Sequence, residues 1–315
     1  MIFPLPPGNH PEGIAIDLRG TIYLGNRRVD GEHVVSEILA VAPGGSVSTL
    51  AVLTELETED PGGSGVLGLA TDPHGNVYAA LVTFDPSTHG VWRISSTGWE
   101  QARLPGSEQI VFPNALTFDP RGNLYVSDSI GGAVWRFRAG ADVPGEVWSQ
   151  DELLEPAPED PFGFPAPGAN GIGFHAPDTL YVANTERGLI VGVPIDRADG
   201  SAGQPTLVAS APELLAIDGL TVDAFGSIHA VIAGHALLGT SPLVHVDPTT
   251  GTTRPSVAAS DLDEFDVPLS LAFGRGSRDR RRVYVTNGDL PGLPPEGHRP
   301  GLVEVDVGVP GFPPR

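Results

Sequence analysis

Apolar and polar positions recur along this chain in a unit of about fifty residues, and a search for such internal repeats precedes any assignment of single elements. The first copy reads Gly13-Ile-Ala-Ile-Asp17-Leu-Arg-Gly-Thr-Ile-Tyr23, and it returns at residues 68–78 and 115–125. Three further copies follow at 171–181, 219–229 and 270–274, the last reaching Val283 and Tyr284 only after an Arg-rich insertion. The anchor positions Asp17, Asp72, Asp119, His175, Asp223 and Gly274 are spaced 55, 47, 56, 48 and 51 residues apart. Each copy reads as a short β-rich strand, an Asp-x-x-Gly turn and a second strand of β-branched and aromatic residues, which is a hairpin signal. All five tyrosines fall at one repeat position (Tyr23, Tyr78, Tyr125, Tyr181 and Tyr284), and His229 takes the sixth place. A third strand is predicted in every unit, at residues 37–41, 91–94, 134–137, 189–191, 243–246 and 302–305, with fainter fourth strands such as 47–52 and 252–257.

Four strands in about fifty residues make one propeller blade, and six such blades use up the chain, so the expected fold is an all-β, six-bladed β-propeller. The sixth unit has no fourth strand of its own, while the extended residues 1–5 precede the first unit. The N-terminal strand is therefore expected to complete the last blade and close the ring, removing an open edge. On this reading residues 1–315 form a single domain. The Pro- and acid-rich stretch 149–169 resembles a linker, but a cut there would leave two half-rings with bare edges.

Composition narrows the chemistry. Hydrophobic residues make up 40% of the chain and charged ones 18%, which is ample for a core, and 41 Gly with 32 Pro fits many turns. No apolar run approaches the roughly 18 residues that span a bilayer, and the first residues lack a basic region, so a soluble, cytoplasmic or otherwise non-membrane protein without a visible signal peptide is expected. A formal charge of −21 argues against nucleic acid and anionic membranes as partners. Cysteine is absent, excluding thiolate nucleophiles and Cys-bound zinc, and all 18 basic residues are Arg, excluding lysine chemistry. The expected partner is a small-molecule substrate, and a monomer is compatible with the sequence.

If the repeats are blades, the residues five places before each anchor meet in one ring where the innermost strands enter the central channel: Glu12, Leu67, Asn114, Asn170, Asp218 and Leu269. Four of these are oxygen donors. Gathering two carboxylates and two amides at a narrow mouth is costly unless a cation compensates. Carboxylate and amide oxygens without His or Cys suit Ca²⁺ and disfavour zinc, and four of them leave part of calcium's shell of about six to eight open to water or substrate. Such an ion can polarise a carbonyl or phosphoryl oxygen, and Asp218 could double as base or nucleophile. The bland alternative is a polar channel bridged by ordered water.

A second ring, nine residues after each anchor, reads Asn26, Leu81, Asp128, Asn184, Ile232 and, allowing for the insertion, Asn287. These rim residues either orient the inner ring or simply serve turns, which favour Asn and Asp. His235, in the blade-five loop on the same face, could act as general acid or base, the alternative being a solvated side chain. His229 reads as a packing residue, and the Arg-rich run 278–282 as an exposed turn at the opposite end of blade six. Connections 55–64, 150–169, 234–241 and 288–300 should wall a pocket on the ring face, and Phe162, Phe164, Leu67 and Leu269 would make it partly apolar.

At these residues the sequence resembles the family of senescence marker protein, gluconolactonase and luciferin-regenerating enzyme, and more widely paraoxonase, diisopropyl fluorophosphatase and strictosidine synthase. The similar motifs are Asn170-Gly171-Ile-Gly-Phe followed by Leu180-Tyr-Val-Ala-Asn184, Asp218-Gly219-Leu-Thr-Val-Asp223, Pro11-Glu12-Gly13 and Pro113-Asn114. The resemblance implies a catalytic Ca²⁺ held by Glu12, Asn114, Asn170 and Asp218, with Asp218 and Asn114 serving catalysis as well. It also implies hydrolysis of a lactone or related ester or, in some members, a phosphotriester. Ala115 stands where many lactonases of this group carry an acid. A binding or scaffolding propeller braced by a structural calcium is the competing class.

Overall fold

The structure, a computed structural model, describes residues 3–30, 33–57, 65–83, 85–140, 142–157, 167–257, 263–288 and 299–312. Six four-stranded antiparallel sheets follow one another in chain order and close into a ring, a six-bladed β-propeller. Blade one comprises Asn9–Ile16, Ile22–Asp30, His33–Val41 and Val47–Glu57; blade two Gly65–Thr71, Val77–Val82, Gly90–Ile94 and Gln101–Arg103; blade three Pro113–Phe118, Leu124–Asp128, Ala133–Phe137 and Glu146–Gln150. Blade four comprises Ala169–His175, Thr179–Asn184, Leu189–Pro194 and Thr206–Ser210, and blade five Ile217–Val222, Ile228–Ile232, Leu243–Asp247 and Thr252–Pro255. Blade six takes three strands from the end of the chain, Pro268–Phe273, Arg282–Asn287 and Gly301–Asp306.

The fourth strand of blade six is Phe3–Pro4, which pairs antiparallel with Gly301–Asp306. The Leu5 N–H continues this seam by donating to the Pro300 carbonyl at 2.9 Å. The predicted closure is thus found for residues 3–5, while Met1 and Ile2 lie outside the described residues. Pro4 suits this place because a residue without an N–H is tolerated on a sheet's outer edge.

The core is not one mass but a set of seams between blades. Along the second strand of blade four, Tyr181 and Ala183 pack towards blade five, while Leu180 and Val182 pack towards blade three. Both faces of these strands are buried, so alternation sorts side chains between two neighbours rather than between core and solvent. Corresponding clusters bridge blades one and two, two and three, five and six, and six and one.

The repeat tyrosines have a common physical role. In four blades the phenol hydroxyl donates to the carboxylate of the turn aspartate: Tyr23 to Asp17 at 3.2 Å, Tyr78 to Asp72 at 3.4 Å, Tyr125 to Asp119 at 3.3 Å and Tyr284 to Asp279 at 3.2 Å. The aspartate's other oxygen accepts turn N–H groups, as Asp17 does from Arg19 and Thr21. Blade six, with Gly274 at the anchor, recovers its carboxylate from the insertion as Asp279. The surrounding Arg278, Arg280, Arg281 and Arg282 are exposed, as expected.

At the axis the inner strands come within backbone contact. A Cβ placed on Gly68 would lie 2.0 Å from the Asn114 carbonyl oxygen, and one on Gly171 would lie 2.2 Å from that of Asp218. We therefore expect Gly171→Ala to lower the unfolding free energy by about 2–3 kcal/mol through overpacking, whereas Gly44→Ala, with no neighbour within 4 Å of the new methyl, changes it by less than about 0.5 kcal/mol. Chemical denaturation of the two variants checks this, and equal effects would contradict the close approach.

Candidate functional site

Every inner strand carries a register shift at the ring position. Pairing with the second strand jumps between Pro11 and Ile14, Val66 and Gly68, Pro113 and Leu116, Ala169 and Ile172, Ile217 and Leu220, and Pro268 and Ser270. Glu12, Leu67, Asn114, Asn170, Asp218 and Leu269 each sit inside one of these jumps. A β-bulge bends its strand and re-aims the side chain it carries, so six ordinary strands deliver six side chains out of strict alternation. Asn114, Asn170 and Asp218 are buried, as are Leu67 and Leu269, and Glu12 is partly exposed.

The acids at this mouth perturb one another. Burial pushes the Asp218 carboxyl up to about 7, partly offset by a hydrogen bond from Asn170. Burial also holds Glu12 well above the usual carboxylate range, and the charge of Asp218 raises it further. Removing carboxylates from water without full compensation has this effect, because the charged form loses most. The structure thus brings Glu12, Asn170 and Asp218 into electrostatic or hydrogen-bonding contact.

Asn114 and Asn170 are oriented by a device that the sequence reading missed. Asn114 Nδ2 donates to Ser129 Oγ at 3.2 Å, and that hydroxyl donates onward to the Ala169 carbonyl at 2.7 Å. One blade further, Asn170 Nδ2 donates to Thr185 Oγ1 at 2.9 Å, which donates to the Ile217 carbonyl at 2.6 Å. Each hydroxyl therefore ties one ring amide to the backbone just before the next ring residue. With the nitrogen held in this way, Asn170 Oδ1 is buried and has no hydrogen-bond partner. At the closure a different contact is made, Thr286 donating to the Glu12 carbonyl at 2.7 Å without holding a ring amide. The signal available in sequence was a hydroxyl residue directly after the rim residue, in Asp128-Ser129 and Asn184-Thr185.

The rim residues serve loops rather than the ring. Asp128 accepts backbone N–H bonds from Val111 at 3.0 Å and from Phe112 and Gly131 at 2.9 Å. Asn184 donates to the Leu153 and Glu155 carbonyls, and Asn287 to that of Glu264. Asn26 donates to Asn9 Oδ1 at 2.7 Å and to Glu37 Oε1 at 3.1 Å. For Asp128, Asn184 and Asn287 the turn-forming reading matches these partners, whereas Asn26 bonds side chains of the neighbouring strands. His235 opens the short helix His235–Leu238 and is buried rather than solvated, and burial lowers its pKa, favouring the neutral imidazole. Phe162 and Phe164, expected in the pocket wall, lie outside the described residues.

With this geometry in place, similarity to known proteins can be weighed. No known family profile matches the chain, and no curated protein sequence matches it either. Solved structures do. Luciferin-regenerating enzyme superposes with a TM-score of 0.66 at 15% identity, covering 98% of this chain and 95% of that one. Regucalcin from Agrobacterium tumefaciens, described as a calcium-binding protein, gives 0.62 at 16% identity with the same coverages. A gluconolactonase from Xanthomonas campestris gives 0.60 at 17%, covering 90% of this chain and 84% of that one. These are six-bladed propellers of the group whose motifs the sequence resembles, and at such identities they establish the fold. No helix among the described residues is long and apolar enough to cross a membrane.

The raised Asp218 pKa has a definite sign in stability. Its folded value lies above the unfolded one near 3.8, so its favourable contribution is complete below about pH 4 and is lost as pH rises through about 7. In chelator-treated protein, Asp218→Asn should therefore match wild type in acid and melt several degrees higher at neutral pH. Melting curves across this window check it, and parallel pH profiles for the two proteins would refute the assignment.

Proposed function

We propose that this protein is a calcium-dependent hydrolase acting on a lactone or related ester, with Glu12, Asn114, Asn170 and Asp218 as the ion's protein ligands. The observation that carries this reading is a pair of interacting carboxyls with raised pKa at the side of Asn170, whose amide oxygen Oδ1 is buried and unpartnered. A hard divalent cation answers all three at once, since it favours ionised carboxylates and accepts a neutral carbonyl-type oxygen. The donor set contains no His and no Cys, which suits calcium better than zinc. The resemblance to gluconolactonase and regucalcin supports the same class.

When bound, a calcium ion with open coordination positions would polarise the substrate carbonyl. This chain's own residues supply the remainder. Asp218, buried in the ring beside Asn170, takes the proton from the attacking water. Asn114, fixed through Ser129, holds its amide in one orientation towards the reacting ester. Leu67 and Leu269 fill the two remaining ring positions with apolar surface, and the exposed Leu237 and Leu238 extend that surface on the blade-five loop of the same face. A moderately hydrophobic ester or lactone fits such a mouth better than a bare sugar acid.

Calorimetry should find one calcium ion per chain, and Asp218→Ala and Asn114→Ala should each lower kcat/KM for a lactone or aryl ester at least about 100-fold. A protein that binds calcium but hydrolyses no lactone, ester or phosphotriester would be a binding propeller instead. Thr185 gives an independent check: Thr185→Val should weaken calcium binding at least about tenfold, and Thr185→Ser should restore it. Unchanged affinity in Thr185→Val would remove Asn170 from the ligand set.

A further inference from the structure

At the far end of blade five the repeat departs from its own rule. The strand Ile217–Val222 carries Asp218 at the mouth and ends in the turn of Asp223, roughly 15 Å away at about 3.3 Å per residue. There the tyrosine of the other blades is replaced by His229, whose Nε2 lies 3.3 Å from Asp223 Oδ2. The residue opposite His229 on the third strand is His245. In the other blades that place holds Ala40, Arg93, Arg136, Gly192 or Glu304. Blade five alone sets two imidazoles side by side above its turn carboxylate.

We propose that Asp223, His229 and His245 form a second metal site, selective for zinc or a similar first-row divalent ion. One ligand atom from each residue lies within 4.8 Å of the others. Ligands about 2.0–2.1 Å from one tetrahedral ion stand roughly 3.3–3.4 Å apart. The Asp223–His229 pair already has that spacing, and His245 closes the remainder by a small rotation of its ring. Two imidazoles and one carboxylate suit zinc, cobalt or nickel and are poor for calcium, so this site and the mouth would not compete for one ion.

Two further observations point the same way. His229 is 2% exposed and turns its Nε2 to Asp223 Oδ2 in a place shut off from bulk water. Asp223 is comparably buried, and its Oδ1 is fixed by the N–H groups of Phe225 and Ser227, which leaves Oδ2 facing the imidazole. Arg254 donates to His245 Nδ1 at 3.3 Å from the exposed edge strand, leaving Nε2 for the ion.

The test uses the full-length protein stripped with chelator and reloaded with calcium, then titrated with Zn²⁺ by calorimetry and with Co²⁺ by visible absorption. Wild type should take up one Zn²⁺ per chain and develop the absorption of low-coordinate Co²⁺. His229→Tyr, which restores the residue of the other blades, should lose at least about tenfold in Zn²⁺ affinity with calcium binding unchanged. His245→Ala, on a less buried position, should do the same and keeps the test decisive if His229→Tyr does not fold. Asp218→Asn should leave Zn²⁺ binding intact. Absence of stoichiometric Zn²⁺ uptake by wild type, or uptake unaltered in His245→Ala, would overturn the site and leave His229 as a hydrogen-bonding substitute for tyrosine.

Discussion

Everything at the channel mouth depends on how closely six inner strands can approach one axis. The residue after each ring position is Gly13, Gly68, Ala115, Gly171, Gly219 or Ser270, the smallest side chains available. At Gly171 even a methyl group would collide with the carbonyl of Asp218 in the next blade. Small residues and bulges act together here. The bulge turns the ring side chain out of the strand's alternation, and the small residue beside it lets the neighbouring backbone close in. Without that approach, Asp218 could not raise the proton affinity of Glu12, more than two hundred residues away in sequence.

Convergence creates an electrostatic debt that the chain itself does not settle. A protein with 39 acidic side chains and 18 arginines could have placed an arginine against Glu12 and Asp218, yet the largest influence on each acid is burial, and Asp218 receives only an amide from Asn170. Elsewhere the same chain satisfies its acids thoroughly. Glu146 is held below the usual range by Arg136 and Arg138, and Asp128 by contrast takes three backbone N–H groups. On the proposed reading, an added positive charge at the ring accounts for this contrast.

Much of this was legible in the sequence because a propeller repeats one local solution six times. The tyrosine register identified the second strand, and with it the anchor, the ring and the closing strand, since each repeat tests the alignment of the others. What stayed hidden was whatever depends on contacts between blades. Ser129 and Thr185 look like ordinary turn residues until the carbonyls of Ala169 and Ile217, which belong to the next blade, are seen to receive their hydroxyl protons. The rim side chains left two readings open for a related reason. Asp128 and Asn184 lie on the correct face, but their partners are loop N–H and carbonyl groups that spacing cannot reveal. A solvated His235 was one of two readings open from its place in a connecting loop, whereas the structure buries it at the start of a four-residue helix.

A repeat also makes each departure from it informative, and blades four, five and six depart in different ways. Blade six loses its anchor aspartate at Gly274 but regains the carboxylate through Asp279, so the bond from Tyr284 survives an insertion. Blade four loses the carboxylate altogether, and His175 stacks on Tyr181 instead, leaving no buried charge to satisfy. Blade five keeps the charge and changes the donor. A buried carboxylate retained beside an imidazole with an unpartnered nitrogen is a less stable arrangement than either alternative, because a tyrosine would satisfy the acid and leave no orphan behind. The second imidazole across the strand cannot be explained by that exchange, since a hydrogen bond to Asp223 needs only one donor. On the proposed reading it supplies a further nitrogen ligand, with Nδ1 accepting from Arg254 and Nε2 left for the ion.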